Sequence, residues 1–237
     1  MRILAILCLA CAWIPFAATA GSKPNFLVIL ADDMSYHDIG AWGNKDVKTP
    51  HLDRLASEGL KLTRIFTPAP TCSPTRHALY TGLYPVKSGA HPNHAVANPG
   101  TRSMPHYLAP LGYRVALAGK THIDPLEVYP FEYIRSPERK PGQYSPEDAP
   151  QWNTIEQFIR RDDSQPFCLV FASNEPHSPW TKGDVSVFDP DRLTLPSYFV
   201  DTPETRRALA HYYAEISVLD NQVGRLMAML QEHRKHD

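Results

Sequence analysis

Three short and almost wholly apolar segments divide the chain and predict its buried strands. They span residues 26–30 (FLVIL), 114–118 (RVALA) and 167–172 (FCLVFA). Apolar runs of this length, without regular polar alternation, are typical of strands buried on both faces of a parallel sheet. The second run ends at Gly119, which predicts a turn directly after that strand.

Helix signals lie between these strands and after the last one. Thr49-Pro50 supplies an N-cap and a first-turn proline, and Gly59 closes the predicted helix. Ser73-Pro74 predicts a second helix in the same way, which runs to Gly82. Thr202-Pro203 opens a long helix with apolar residues at helical spacing. These residues are Leu209, Tyr213, Ile216, Leu219, Val223, Leu226 and Leu230.

Strands that alternate with helices indicate an α/β fold with a mainly parallel central sheet flanked by helices. Titratable side chains follow each predicted strand. Asp32 and Asp33 follow the first strand, Lys120 and His122 the second, and His177 the third. Because sites in open α/β sheets form beyond the carboxyl ends of the strands, we expect these side chains to lie close together.

Composition and the first residues narrow the class of protein. A net charge of -1 gives no basic field for nucleic acid, and 43% hydrophobic residues is ordinary for a globular core. Residues 1–20 combine Arg2, an apolar run and a small-x-small ending at residues 18–20, which is typical of a secretory signal peptide. We therefore expect an exported protein, periplasmic or secreted, without a membrane span after cleavage.

Two cysteines, Cys72 and Cys168, belong to the predicted mature chain, and one disulfide between them is an open alternative. The surroundings of Cys72 favour a different role. Pro74 lies in the first turn of a predicted helix, so Cys72 lies at the helix N-terminus, where free amides and the dipole favour an anion. Arg76 adds a permanent cation nearby.

Asp32 and Asp33 carry hard oxygen ligands, which suit Ca²⁺ or Mg²⁺. A solvated turn is the alternative for such a pair. The histidines other than His122 and His177 are interpreted as packing or surface residues, because a lone histidine more often has such a role. His94 is among the histidines interpreted in this way.

Taken together, these motifs resemble the sulfatase family. The resemblance rests on residues 72–76 (CSPTR) with residues 78–85 (ALYTGLYP), and on residues 25–33, 49–56 and 119–122. It implies an alkaline-phosphatase-like fold. It also implies an enzyme that hydrolyses sulfuric esters or sulfamates of sulfated glycans.

The resemblance further implies a modified nucleophile and a metal. Family members convert the cysteine of this motif, here Cys72, into formylglycine, with the help of a formylglycine-generating or sulfatase-maturing enzyme. A divalent cation, usually Ca²⁺, would be held by Asp32, Asp33 and the modified residue 72.

Four further residues match positions that act on the nucleophile or the sulfate group in this family. Arg76 would orient and stabilise the formylglycine hydrate. Lys120 and His177 would contact sulfate. His122 would hold the hydrate and assist proton transfer when the aldehyde re-forms.

The resemblance also has departures. Family members are longer and complete the metal site with an Asp-Asn pair after a later strand, whereas Asp220-Asn221 falls inside the long helix and is interpreted as structural. Residues 21–237 are therefore expected to form an incomplete N-terminal catalytic domain, truncated before the C-terminal strands and subdomain, with absent or impaired activity. The alternatives are a non-catalytic fragment that binds anionic glycans weakly, and a phosphohydrolase of the same superfamily.

Within the family, residues 127–131 (EVYPF) and 195–200 (LPSYFV) are similar to heparan N-sulfatases. The family often has His-x-Pro-His after the third strand. This chain has Asn174, Glu175, Pro176 and His177 instead. The departure falls on Asn174, at a position expected to contact substrate.

Overall fold

The structure, a computed structural model, describes residues 23–135 and 149–235. The signal peptide predicted for residues 1–20 lies outside the described residues. Within the two described ranges, no helix is both long and apolar enough to cross a lipid bilayer.

Parallel strands form the central sheet. They are β1 (Phe26–Leu30), β2 (Arg114–Gly119), β3 (Glu132–Ile134) and β4 (Phe167–Ala172). Their order across the sheet is β1-β4-β2-β3, so β4 lies between β1 and β2. The three predicted strands are confirmed, but the predicted burial of β1 on both faces is wrong, because β1 lies at one end of the strand order and is only partly covered. The short edge strand β3 was not predicted, because three residues give no apolar run.

The helices pack around this sheet and lie mostly between its strands in the sequence. They are α1 (Pro50–Glu58), α2 (Cys72–Thr81), α3 (Pro85–Ser88), α4 (Met104–Leu108), α5 (Trp152–Arg160) and α6 (Pro203–Glu232). Short 3-10 turns lie at Tyr36–Asp38, Gly40–Trp42, Ala109–Leu111, Leu126–Val128, Val185–Val187 and Pro190–Arg192. The predicted α1 and α6 are confirmed. The predicted start of α2 at Ser73-Pro74 is wrong, because the helix begins at Cys72 after the N-cap Thr71.

Alternate residues of β2 and β4 face two separate apolar cores, one on each side of the sheet. One core joins Ala116, Leu169 and Phe171 to Ile155 of α5 and Leu226 of α6. The other core joins β-strand residues to α2 and to the segment after β2, through Val115, Leu117, Val170, Tyr80 and Tyr129. Each large side chain buried in this way contributes about 1.5–3 kcal/mol. The sheet is therefore a rigid base for the residues that follow its strands.

The turn after β2 requires a glycine. Gly119 has a φ of 88°, and a Cβ at this position would collide with the carbonyl oxygen of Ala172 in β4. The next residue, Lys120, donates its backbone N–H to the same oxygen at 2.8 Å. This close approach holds the ends of β2 and β4 together at the carboxyl edge of the sheet.

Candidate active site at the carboxyl edge of the sheet

The predicted site residues emerge from the ends of neighbouring elements. Asp32 and Asp33 follow β1, Lys120 follows β2, and His177 lies in the loop after β4. The first turn of α2 adds Cys72, and Arg76 lies one turn further along the same helix. The structure therefore brings together the side chains that the sequence placed at one edge.

Three of these residues form a buried group that we call the inner cluster: Asp32, Arg76 and Lys120. Each of their side chains is at most 5% exposed. Arg76 Nη2 lies 3.2 Å from Asp32 Oδ1, and Lys120 Nζ bonds the other carboxylate oxygen, Oδ2. Arg76 also donates to the carbonyl oxygen of Lys120 at 3.1 Å. Buried charges need such pairing, because each would otherwise have lost its hydration without compensation.

Cys72 lies beside the inner cluster and is half-buried. Its Sγ is 3.8 Å from Lys120 Nζ and 3.9 Å from Asp33 Oδ1. Burial raises the pKa of the Cys72 thiol, and the Lys120 charge opposes that effect without cancelling it. The unmodified residue is therefore a neutral thiol at pH 7, which is a poor nucleophile.

A second group, the outer cluster, consists of Asp33, Cys72 and His177. One potential ligand atom from each of these residues lies within 4.8 Å of the others. His177 Nδ1 bonds the carbonyl oxygen of Ser178 at 2.6 Å, so this nitrogen is the donor. The other nitrogen, Nε2, lies 3.6 Å from Asp33 Oδ2. Unless the ring is charged, two lone pairs face each other there, which is an arrangement that a shared cation resolves.

His122, two residues after Lys120, is partly buried. Burial, followed by the Lys120 charge, lowers the pKa of His122 to about 4, so the ring is neutral at pH 7. Its Nε2 lies 2.8 Å from Nδ1 of His94. His94, interpreted from the sequence as a packing or surface residue, is exposed and makes this contact from the surface of the protein. No sequence signal pairs residues 94 and 122, because the contact depends on how the loop before α4 folds back.

The loop that carries His177 is tied to α6 by buried polar contacts. Glu175 is paired with Lys182 at 2.7 Å and accepts a hydrogen bond from Ser173 Oγ at 3.1 Å. Ser173 Oγ also contacts Gln222 of α6 at 2.7 Å. The backbone oxygen of Glu175 accepts the N–H of Asp32 at 3.0 Å, which joins the β1 and β4 ends of the site. Asn174 is buried in the same loop.

Two open alternatives from the sequence are settled by geometry. Cys72 and Cys168 are both free, with Cys168 buried inside β4, so the alternative of a disulfide is excluded. Asp220 is buried within α6, and its carboxylate accepts the backbone N–H groups of His51 and Leu52 in the first turn of α1. The interpretation of Asp220 as structural is confirmed.

The parallel sheet and the residues that follow β1 and β2 in the sequence define the class of protein. Comparisons with known proteins give the same class. A sequence profile described as Sulfatase matches residues 24–237. The chain therefore belongs to the sulfatase family. The predicted family resemblance, which includes heparan N-sulfatases, is confirmed.

Individual relatives are similar to this chain over only part of their length. An ulvan-active sulfatase of Formosa agariphila is 37% identical over 161 residues, covering 68% of this chain and 32% of that protein. The human N-sulphoglucosamine sulphohydrolase is 28% identical over 255 residues, covering 94% of this chain and 50% of that protein. The chain therefore spans at most about half the length of these two relatives.

Solved structures confirm the predicted fold. The phosphonate monoester hydrolase of Agrobacterium radiobacter superposes with a TM-score of 0.73 at 20% identity, covering 90% of this chain and 60% of that one. At this identity the likeness concerns the fold alone. It confirms an alkaline-phosphatase-like arrangement of a parallel sheet flanked by helices.

Proposed function

We propose that this protein hydrolyses sulfate esters or sulfamates of sulfated glycans through a nucleophile made from Cys72. One observation carries the proposal. The Cys72 side chain, at the first turn of α2, lies 3.8 Å from Lys120 Nζ and 3.9 Å from Asp33 Oδ1. Residue 72 therefore adjoins both a cation that can stabilise sulfuryl oxygens and a carboxylate that can bind a metal.

The state of the thiol supports a chemical modification of Cys72. As a neutral thiol it is weakly nucleophilic, and sulfur is a poor ligand for a hard cation. Conversion to formylglycine by a formylglycine-generating or sulfatase-maturing enzyme removes both difficulties. A hydrated aldehyde supplies one hydroxyl that attacks sulfur, breaks its S–O or S–N bond to the glycan and releases the glycan alcohol or amine. The second hydroxyl then loses its proton and collapses to the aldehyde, which breaks the C–O bond to sulfate and expels sulfate.

The donor atoms around residue 72 differ between the unmodified and the modified chain in the divalent metal that they fit. The unmodified outer cluster offers sulfur, nitrogen and oxygen atoms, a mixture that is typical of Zn²⁺. With oxygen in place of the Cys72 sulfur, residue 72 and Asp33 would both offer oxygen, which Ca²⁺ prefers, and Asp32 would join them by turning one carboxylate oxygen away from its present partner, Arg76 or Lys120. The residues therefore fit Ca²⁺ in the modified chain, where the cation would stabilise negative charge on sulfuryl oxygens.

The other residues have roles that follow from their positions. Arg76 and Lys120 would hold the modified residue and stabilise charge on the sulfate group, since both are already fixed by Asp32. His177, beside Asp33, would contact the sulfate group. His122 would act on the hydrate of residue 72.

A glycan substrate is supported by an aromatic cavity beside Asp33. The cavity has a volume of about 690 Å³ and includes Trp180, Tyr198, Phe199 and Tyr212 in its wall. Aromatic faces next to a few polar groups suit ligands with both apolar and hydroxylated surfaces, such as sugar rings. The names of the two relatives, an ulvan-active sulfatase and an N-sulphoglucosamine sulphohydrolase, favour the same substrate class. We also propose that the protein is exported, because residues 1–20 have the pattern of a secretory signal peptide.

The test is hydrolysis by the chain after co-expression with a formylglycine-generating enzyme. With Ca²⁺ present, we expect the chain to hydrolyse an aryl sulfate and N-sulfoglucosamine at an impaired rate, and the Cys72→Ala variant to lose both activities. Faster hydrolysis of an aryl phosphate would instead favour the phosphohydrolase. Two outcomes would contradict the proposed reaction. One is glycan binding without turnover, and the other is an equal rate of hydrolysis by the unsubstituted chain and by Cys72→Ala.

A further inference from the structure

Three hydrogen bonds run in series from the nucleophile helix to His122. The backbone N–H of Ser73, in the first turn of α2, donates to Asn93 Oδ1 at 3.2 Å. Asn93 Nδ2 lies 3.2 Å from His94 Nε2, and His94 Nδ1 lies 2.8 Å from His122 Nε2. The series links two elements of the site, α2 and the segment after β2, through a loop that the sequence did not single out.

The direction of each bond in the series follows from its first member. A backbone N–H can only donate, so the side-chain atom of Asn93 that faces Ser73 is the oxygen. The opposite atom is therefore the amide nitrogen, which also can only donate. His94 Nε2 must accept that bond, and a neutral His94 ring then carries its proton on Nδ1.

The last hydrogen bond of the series sets the tautomer of His122. His94 Nδ1–H donates to His122 Nε2, so His122 Nε2 is the acceptor and its own proton lies on Nδ1. His122 Nδ1 is buried and has no hydrogen-bond partner among residues 23–135 and 149–235. A buried donor without a partner costs roughly 1–3 kcal/mol, so its retention at this place indicates that a ligand satisfies it.

The backbone adds an independent observation. In the described ranges, the non-glycine residues with positive φ are Asp33 (61°), His94 (65°), His122 (47°) and Arg234 (53°). Three of these four residues belong to the site or to the series of hydrogen bonds. Such conformations cost of order 1–3 kcal/mol and persist where the surrounding structure demands them. The loop is therefore held in the shape that places the His94 ring against His122.

We infer that Asn93 and His94 are positioning residues that hold His122 in its Nδ1–H tautomer, so that His122 offers a hydrogen-bond donor to an oxygen atom of the substrate or of residue 72. The inference rests on the proposed function for the identity of that oxygen. Without this series of hydrogen bonds, no other contact of His122 within the described residues selects one tautomer. His122 Nδ1 would then be an acceptor in part of the molecules.

The direct test is the protonation state of the His122 nitrogens, measured by ¹⁵N NMR on the full chain at pH 7 without metal. We expect Nδ1 to be protonated and Nε2 to be an unprotonated acceptor, with the signals assigned by their loss in His122→Asn. A proton on His122 Nε2 in the unsubstituted chain would overturn the inference. This measurement needs no activity, so it stands apart from the outcome of the sulfatase assay.

A substitution of His94 should reverse the direction of the hydrogen bond between residue 94 and His122 Nε2. Asp in His94→Asp tolerates the left-handed backbone and places a carboxylate, which can only accept, opposite His122 Nε2. We expect the proton to move to Nε2 in this variant. His211→Asp, at an exposed position of α6, is the matched control and should leave the His122 signals unchanged. Unchanged signals in His94→Asp would also overturn the inference.

Kinetics give a second readout if the chain hydrolyses an aryl sulfate. A histidine in the wrong tautomer keeps its position but carries its proton on the wrong nitrogen, so turnover falls while substrate affinity changes little. We therefore expect kcat of His94→Asp to fall roughly tenfold or more while KM changes little. A large rise of KM at unchanged kcat would show a binding role for His94 and contradict the positioning role.

Discussion

The two adjacent carboxylates of the site lie in opposite environments. The Asp32 side chain is 3% exposed, and each of its oxygens is paired with one cation, Arg76 or Lys120. The Asp33 side chain is 58% exposed, and its nearest site partners lie 3.6 Å away at His177 and 3.9 Å away at Cys72. One carboxylate is fully paired within the protein, and the other is open to a ligand.

This contrast shows that the end of one strand can contribute both to the stability of the site and to its chemistry. The inner cluster combines two buried cations with one carboxylate, so its geometry is fixed before any anion arrives. The contacts within the outer cluster are longer, 3.6 Å from His177 to Asp33 and 3.9 Å from Cys72 to Asp33, so its ligand atoms can receive a cation. Asp32 and Asp33 are adjacent in the chain but belong to different clusters. The backbone of Asp33 is left-handed, with a φ of 61°, at the point where the chain passes from one cluster to the other.

The largest expected difference between the clusters concerns stability. Asp32→Asn removes the carboxylate charge that Arg76 and Lys120 both contact in the buried inner cluster, so the free energy of unfolding should fall by about 3–5 kcal/mol. Asp33→Asn is the matched control, since Asn tolerates the backbone and the site is exposed. We expect it to cost less than about 1 kcal/mol. Urea denaturation measures both, and equal losses would remove the distinction between the clusters.

A pH effect of intermediate size should come from the same helix as the inner cluster. His77 of α2 is fully buried, and burial lowers its pKa to about 4. Between about pH 6.5 and 4 the unfolded chain therefore binds more protons, so stability falls as the pH falls through this window. We expect the loss to reach about 2–3 kcal/mol.

The His77→Asn variant separates this effect from the titration of carboxylates. Asn keeps a polar atom opposite the hydroxyl of Tyr129, which His77 Nδ1 contacts, but it does not titrate. Urea denaturation across this pH range should give a flatter curve for the variant. Parallel curves for the two proteins would show that His77 is protonated in the folded state.

The strands and the edge of the site could be predicted from the sequence because their signals are local. The apolar runs at 114–118 and 167–172 mark strands that are covered on both faces, whereas the run at 26–30 marks a strand that is only partly covered. Pro50 and Gly59 mark the ends of α1. By contrast, α5 has no first-turn proline and no closing glycine, and it was not predicted.

The division of the site could not be predicted, because it depends on contacts between distant segments. Nothing in the pair Asp32-Asp33 shows which carboxylate is buried, since that depends on Lys120 and Arg76 from other elements. The contact of His94 with His122 joins residues from two loops and has no periodic signal. Asp220 was interpreted correctly only because it fell inside a strongly periodic helix.

The smallest expected effect concerns metal binding by the outer cluster. The unmodified chain should bind Zn²⁺ more tightly than Ca²⁺, because its donor set is mixed. Asp33→Asn should weaken Zn²⁺ binding roughly tenfold or more in isothermal titration. His211→Asn on the surface of α6 is the control and should bind as the unsubstituted chain does. Unaltered affinity in Asp33→Asn would show that the outer cluster does not hold the ion.

The proposed nucleophile requires the conversion of Cys72 to formylglycine, which mass spectrometry of the Cys72 peptide measures directly after co-expression with a formylglycine-generating enzyme. Cys168 is an internal control, because it is buried in β4 and lacks the motif. We predict that the Cys72 peptide shows the mass of the aldehyde while the Cys168 peptide keeps its thiol. A thiol at both positions would contradict the proposed nucleophile.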